Sequence, residues 1–222
     1  MTGIMVYGTD TGVGKTVVTA GLVAAALDAG LTVRALKPVQ TGAAEDDDGA
    51  EVNRLAGAEV ARTGWRLRDP LAPAVAARRE GRRLSPKAVV AWVERAAAEA
   101  DVALVETAGG VAVEITRGWD MAALGAALGY PALLVCRPGL GTLNHTLLSV
   151  EHLRAAGVVV VGLVVSGAVP APGLAEATNL AELPRLTRTP LVAVVPLVRL
   201  RGHAARAALA DALHDALIAA SG

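Results

Sequence analysis

The sequence predicts an α/β fold, a doubly wound and mainly parallel sheet with helices on both faces. Short apolar runs alternate along the chain with longer Ala- and Leu-rich stretches of helical length. Several of the runs are apolar throughout, as parallel strands covered on both faces require. A glycine-rich loop joins the first run to the first helical stretch. At 222 residues the chain fits one such domain, residues 1–222. With 53% apolar and 19% charged residues it carries the material for a large core.

The elements follow in order. A strand over 4–7 leads through the glycine-rich loop into a helix over 15–29, which Gly30 stops. A strand over 31–36 and a helix over 48–56 come next. The proline-rich stretch 70–73 is expected to be a loop. Ser85 and Pro86 form an N-cap and a first-turn proline, opening a helix over 85–98. Then come a strand over 102–105 and a helix over 120–128. Gly129-Tyr130-Pro131 separates that helix from a strand over 132–136. A helix over 144–156 ends at Gly157, followed by a strand over 158–165, a loop at 170–172, a strand over 191–195 and a last helix from about 202 to 219. Such alternation implies right-handed crossovers. No linker or internal repeat interrupts it.

Composition removes several classes of function. Acidic and basic residues balance at 21 each, so no electrostatic footprint for nucleic acid or an anionic membrane is present. The chain has no Phe, and its few Tyr and Trp offer no stacking platform for single strands. Residues 121–136 are uncharged but too short to span a bilayer, and they are split by Gly129-Tyr130-Pro131. Asp10 and Lys15 interrupt the N-terminal apolar stretch, so no signal peptide is expected and the cytoplasm is the expected location. Cys136, the one cysteine, ends an apolar run and is read as core filler in a reducing compartment.

Ligands of doubly wound sheets bind beyond the carboxyl ends of the strands. There the first strand runs into Gly8-Thr9-Asp10-Thr11-Gly12-Val13-Gly14-Lys15-Thr16. Glycines let backbone N–H groups converge on phosphate oxygens, and the helix start adds partial positive charge. Lys15 then reaches the β- and γ-phosphates and the Thr16 hydroxyl a magnesium ion. Five residues rather than four separate Gly8 from Gly14, so the loop is a one-residue variant of the usual pattern. The fold expected is therefore of the P-loop NTPase type. Only three of the 21 basic residues are lysine, and one of them, Lys37, sits at the end of the second strand. A compact point charge in an otherwise arginine-using chain marks that position as functional.

The loop, then Lys37-Pro38-Val39-x-Thr41-Gly42, then Val105-Glu106-x-Ala108-Gly109-Gly110, then Leu140-Gly141-Thr142-Leu143-Asn144-His145, resemble the successive motifs of the dethiobiotin synthetases. The resemblance runs from Gly8 to about Leu200. It implies an ATP-dependent cyclo-ligase that joins CO₂ to 7,8-diaminononanoate (7,8-diaminopelargonate) in biotin biosynthesis. A carbamate forms, attacks the γ-phosphorus, and the resulting anhydride is captured by the second amine. It implies catalytic roles for Lys15, Lys37 and Thr11. It also implies nucleotide contacts from Gly12, Val13, Gly14, Lys15, Thr16, Val17, Asp48, Glu106, Ala108 and Gly109, with Ser166, Gly167 and Pro196-Leu197-Val198 around the base. Substrate contacts are implied for Thr11, Lys37, Thr41 and Gly110. The Gly141-Thr142-Leu143-Asn144 turn is implied to hold the substrate carboxylate across a homodimer interface; on residue type alone Thr142 or Asn144 equally serves as a helix cap.

Magnesium prefers hard oxygen ligands. Thr16 and Glu106 are expected to supply two, and Asp46-Asp47-Asp48 the third, which the resemblance assigns to Asp48. Asp48-Gly49-Ala50-Glu51 also fits a capping box, and the two roles are compatible. The chain departs from the family pattern at Thr107, where a glycine usually follows the glutamate. A β-branched residue is strained there if φ is positive. It departs again at Ser166-Gly167, where many relatives carry an asparagine that reads adenine, so another nucleoside triphosphate in place of ATP is an open expectation. The alternatives are a nucleotide-switch ATPase of the partition and septum-site type and a degenerate nucleotide-binding paralogue that Thr107 would mark. An amidotransferase-linked synthetase would need a glutaminase domain for which 222 residues leave no room.

Overall fold

The computed structural model describes residues 2–44, 46–197 and 202–221. In chain order the elements are β1 (Thr2–Gly8), α1 (Lys15–Asp28), β2 (Val33–Gln40), α2 (Asp48–Ala56), β3 (Ala61–Arg66), α3 (Pro73–Arg79), α4 (Pro86–Ala97), β4 (Val102–Glu106), β5 (Glu114–Thr116), β6 (Trp119–Asp120), α5 (Met121–Leu128), β7 (Ala132–Cys136), α6 (Thr142–Ala155), β8 (Val160–Ala168), α7 (Leu174–Thr187), β9 (Leu191–Pro196) and α8 (His203–Ser221). Seven strands form one sheet in the order β3-β2-β4-β1-β7-β8-β9, and β5 pairs with β6 in a separate hairpin. Every pairing in the large sheet is parallel. From β1 the sheet extends on one side through β4, β2 and β3, and on the other through β7, β8 and β9. The crevice of such a sheet opens beyond the ends of its central strands.

Side chains alternate across the central strand and divide the core in two. Ile4 and Val6 of β1 pack with α1, α2 and α8, while Met5 and Tyr7 pack with α4, α5 and α6. Buried Leu209, Leu213 and Leu217 of α8 close the first layer against α1, which gives the motif-free C-terminal segment its structural role. No helix among the described residues is long and apolar enough to cross a membrane.

Departures from the expected boundaries have local causes. Strand β2 starts and ends later than expected, because Gly30 (φ 75°) leaves Leu31 in the turn. It continues through Pro38 because β4 pairs only with Val33–Leu36, so the missing proline N–H breaks no bond to that neighbour. Pro73 begins α3 as a first-turn proline instead of lying in a loop. Helix α7 escaped the sequence reading because Pro184 sits inside it and only Asn179, Leu183 and Thr187 are buried. Strand β3 has no fully buried residue and holds Gly64, so its periodicity is faint.

Cys136 is fully buried, and burial pushes its thiol from 9.0 up to about 11. The folded protein is expected to resist thiol reagents at pH 8 and to yield one reactive thiol per chain in denaturant. Rapid labelling of the folded protein contradicts this placement. An unfolded thiol ionises first, so this group's contribution to stability is intact below about pH 9 and is lost as the pH rises towards 11.

Candidate active site

The loop after β1 turns sharply at Gly12 (φ 71°) and Gly14 (φ 97°), a left-handed region that only glycine adopts at little cost. Gly14 is also the N-cap of α1, so the helix opens directly onto the loop. Lys15 is buried; its Nζ donates to the carbonyls of Asp10 (2.9 Å) and Gly109 (2.8 Å). Desolvation, and then the charge of Lys37, lower its pKa to about 8. Thr11 stays exposed, its N–H bonded to Asp10 Oδ1 at 2.7 Å, and Arg137 braces that carboxylate at 3.3 Å.

Lys37 points from β2 into the same place. Its ammonium lies 2.7 Å from Asp48 Oδ2, 2.8 Å from Glu106 Oε1 and 3.1 Å from the Thr107 carbonyl. Burial is the largest single influence and would lower its pKa, but the Glu106 and Asp48 carboxylates together outweigh it and the pKa is raised. The two carboxylates thus favour the charged form of Lys37. The Thr16 hydroxyl is 3.0 Å from Glu106 Oε1 and 3.3 Å from Asp48 Oδ1.

These groups border a cleft of about 410 Å³. The phosphate loop contributes Thr11, Gly12, Gly14, Lys15 and Thr16, and α1 adds Val17. From β2 and its exit come Lys37, Gln40 and Thr41, and from the far wall Asp46, Asp48, Glu106, Ala108 and Gly109. Val13 packs into the core behind the loop. Ser166 is buried at the end of β8, where its side chain fills the space that a Cβ on Gly14 would need. Gly167 (φ 87°) follows it, and Leu197 beyond Pro196 donates to the Ala168 carbonyl at 2.7 Å. Val198 lies outside the described residues.

Gly110 belongs to a second groove of about 490 Å³, bordered by Thr9, Asp10, His145 and Leu148. Gly141, Thr142, Leu143 and Asn144 border neither cavity. The Thr142 hydroxyl is buried against Thr146, and Gly141 caps α6 with no side-chain bond, so neither Thr142 nor Asn144 acts as the cap. The capping box is also corrected. Asp47 is the N-cap of α2, accepting from Ala50 N at 3.0 Å, and Asp48 is left to face Lys37 and Thr16. Thr107 takes no positive φ; it is buried, and its hydroxyl bonds the Val6 carbonyl at 3.3 Å. The residue that uses the left-handed region is Gly109 (φ 68°). Thr107 is thus compatible with the loop, which removes the observation behind a degenerate paralogue. Sequence reasoning missed Gln40, the unspecified position between Val39 and Thr41.

Two carboxylates and a hydroxyl meet here, and a buried ammonium bridges the carboxylates. Oxygen donors of that kind, already holding a cation, fit magnesium, which keeps waters and phosphate oxygens for its other positions. Among the described residues no group of three or more His, Cys, Asp or Glu side chains is arranged to hold a metal ion.

A glycine loop at a helix start, a buried lysine and a threonine beside acidic oxygens define a P-loop α/β protein of the nucleoside-triphosphate-binding class. A family model described as an AAA domain matches residues 2–203. The ATP-dependent dethiobiotin synthetase BioD of Mycobacterium sp. (strain KMS) is 48% identical over 186 residues, covering 79% of this chain and 80% of the relative. That of Rhodococcus jostii (strain RHA1) is 46% identical over 177 residues, 78% of this chain and 77% of the relative. The chain belongs to the ATP-dependent dethiobiotin synthetase family. Among solved structures, the septum site-determining protein MinD from Pyrococcus horikoshii OT3, complexed with Mg-ADP, superposes with a TM-score of 0.64 at 18% identity over 97% of this chain and 94% of that one. At that identity the likeness concerns the fold alone.

Proposed function

We propose that this chain makes dethiobiotin from 7,8-diaminononanoate, CO₂ and ATP, as a Mg²⁺-dependent cyclo-ligase acting in the cytoplasm at the penultimate step of biotin biosynthesis. The observation that carries the reading is the convergence of three distant motifs, Gly8–Thr16, Lys37–Gly42 and Val105–Gly109, on one cleft with two lysines and a magnesium-type oxygen set.

The chemistry demands this distribution of charge. CO₂ adds to one amine and a proton leaves, giving a carbamate. A carbamate oxygen attacks the γ-phosphorus as ADP departs, and the second amine then attacks the carbamate carbon, closing the ureido ring and releasing phosphate. Anionic carbamate must approach anionic phosphate, so catalysis is mainly positioning and neutralisation. Lys15, beside the loop N–H groups, neutralises the phosphates, and Lys37 provides a second fixed positive charge where the carbamate enters. The hydroxyls of Thr11 and Thr41 hydrogen-bond the carbamate or the diamine. Thr16, Asp48 and Glu106 would hold a magnesium ion, which would supply further neutralisation of phosphate charge.

A homodimer completes this proposal. Leu148, 61% exposed, borders the groove that adjoins the loop, and Leu140, 90% exposed, precedes the Gly141 cap of α6. Pairing of two copies over this face would bury them and bring the Gly141-Thr142-Leu143-Asn144 turn of one copy to the substrate carboxylate of the other.

Base selection is expected to be loose. The Ser166 hydroxyl packs against Gly14, and Gly167 has no side chain, so the end of β8 presents no amide to a base edge. Catalytic efficiencies with ATP, CTP and GTP are expected to fall within about tenfold of one another, since large discrimination needs a dedicated hydrogen-bonding group. ATP selectivity above about a hundredfold contradicts this. The function itself is tested by incubating protein, ATP, Mg²⁺ and the diamine with ¹³C-bicarbonate. Dethiobiotin carrying one labelled carbon is expected, and unchanged diamine overturns the reading.

A further inference from the structure

Among the described residues, one buried side-chain atom on the wall of the cleft has no hydrogen-bond partner. Gln40, the last residue of β2, is 4% exposed and borders the cleft beside Lys37 and Thr41. Its Nε2 donates to the Thr41 carbonyl at 2.9 Å, which fixes which end of the amide is the oxygen. Its Oε1 is shut off from bulk water and has no donor among the described residues. A buried acceptor left unpaired is destabilising. Unlike Thr19 Oγ1, the other orphaned atom, it belongs to a side chain on the wall of the open cleft.

The Thr11 and Thr41 hydroxyls border the same cleft and also accept hydrogen bonds, but the charged groups of the cleft do not serve this purpose. Lys15 and Lys37 are donors, and Lys37 and Thr16 already engage both Asp48 oxygens and Glu106 Oε1. An amine substrate arrives with N–H donors and needs an acceptor. That acceptor has to be neutral, because an amine that attacks carbon must be unprotonated, and a carboxylate in contact would hold it as ammonium. A carboxamide oxygen accepts an N–H with no such charge. The last torsion of a glutamine is broad and soft, so a turn of the amide that gives up the Nε2 bond to the Thr41 carbonyl presents Oε1 to the cleft.

We infer that Gln40 Oε1 accepts a hydrogen bond from an amine of the substrate diamine and orients it for reaction. This rests on the function proposed above. The test measures binding of 7,8-diaminononanoate by calorimetry in the presence of Mg²⁺ and β,γ-methylene-ATP, for the full chain and for Gln40→Met, which keeps the volume and loses the acceptor. Diamine affinity is expected to fall about tenfold, one neutral hydrogen bond, with nucleotide affinity held within about twofold. Gln40→Glu is expected to keep the diamine bound but to lower kcat and move its pH optimum upward, because a carboxylate stabilises the ammonium form. Unchanged diamine affinity in Gln40→Met overturns the inference alone, and so does an equal loss of nucleotide affinity. Failure of the unaltered protein to bind the diamine overturns the inference together with the substrate reading.

Discussion

Replacing Lys37 with alanine is expected to leave nucleotide binding within a few-fold and to cut dethiobiotin formation by about 10²–10³-fold, the usual cost of one group aimed at developing charge. Nucleotide binding persists because the phosphate loop and Lys15 do not depend on Lys37 for their hydrogen bonds. Turnover falls because the cleft loses a cation whose charge the two flanking carboxylates secure. The same change has a structural signature. It leaves Glu106, 3% exposed, and Asp48 without their counter-ion, and stranding buried charge typically costs about 3–5 kcal/mol. Mg²⁺ is therefore expected to restore the melting temperature of Lys37→Ala more than it raises that of the unaltered protein. Thermal melts with and without Mg²⁺, beside product assays, check both parts. Retained turnover removes Lys37 from the mechanism.

Gly14→Ala is expected to weaken nucleotide binding by about a hundredfold or more. A side chain at φ 97° costs about 1–2 kcal/mol on its own. An added Cβ would also overlap the Ser166 Oγ, so the loop would have to move off the end of β8. Its N–H groups converge on phosphate only while the backbone holds this turn. The double change Gly14→Ala with Ser166→Gly removes the overlap and not the backbone strain, so partial recovery of affinity is expected. Full recovery assigns the whole effect to the collision, and no loss in the single variant contradicts the loop geometry. Fluorescent-nucleotide titration reads all three.

The contact between Ser166 and Gly14 was not legible in the sequence, because residues so far apart meet only once β8 takes its place in the sheet. The loop itself was legible, since strand, glycines, Lys15 and Thr16 are contiguous and their chemistry is local. Lys37 stood out for a compositional reason, being lysine in an arginine-using chain, and its place at the end of β2 then put it beside Glu106. Which of three neighbouring aspartates faces the site was harder. Asp47 takes the cap and pairs with Arg66 at 3.1 Å, which frees Asp48, and that division depends on how β3 lies against the start of α2. Elements with weak apolar periodicity or few residues went unseen, among them β3 at the sheet edge, α7 with its internal proline, and the short α3, β5 and β6. Gln40 was passed over because an amide after an apolar strand carries no signal until its unpaired oxygen is placed at a cleft wall.

The account stands most directly on one measurement: phosphate release from ATP in the presence of Mg²⁺ and bicarbonate, with and without 7,8-diaminononanoate, while dethiobiotin is followed by mass. The prediction is phosphate release that depends on the diamine and matches the product mole for mole. Phosphate release indifferent to the diamine, with no dethiobiotin, would contradict the account and leave a P-loop nucleotide hydrolase.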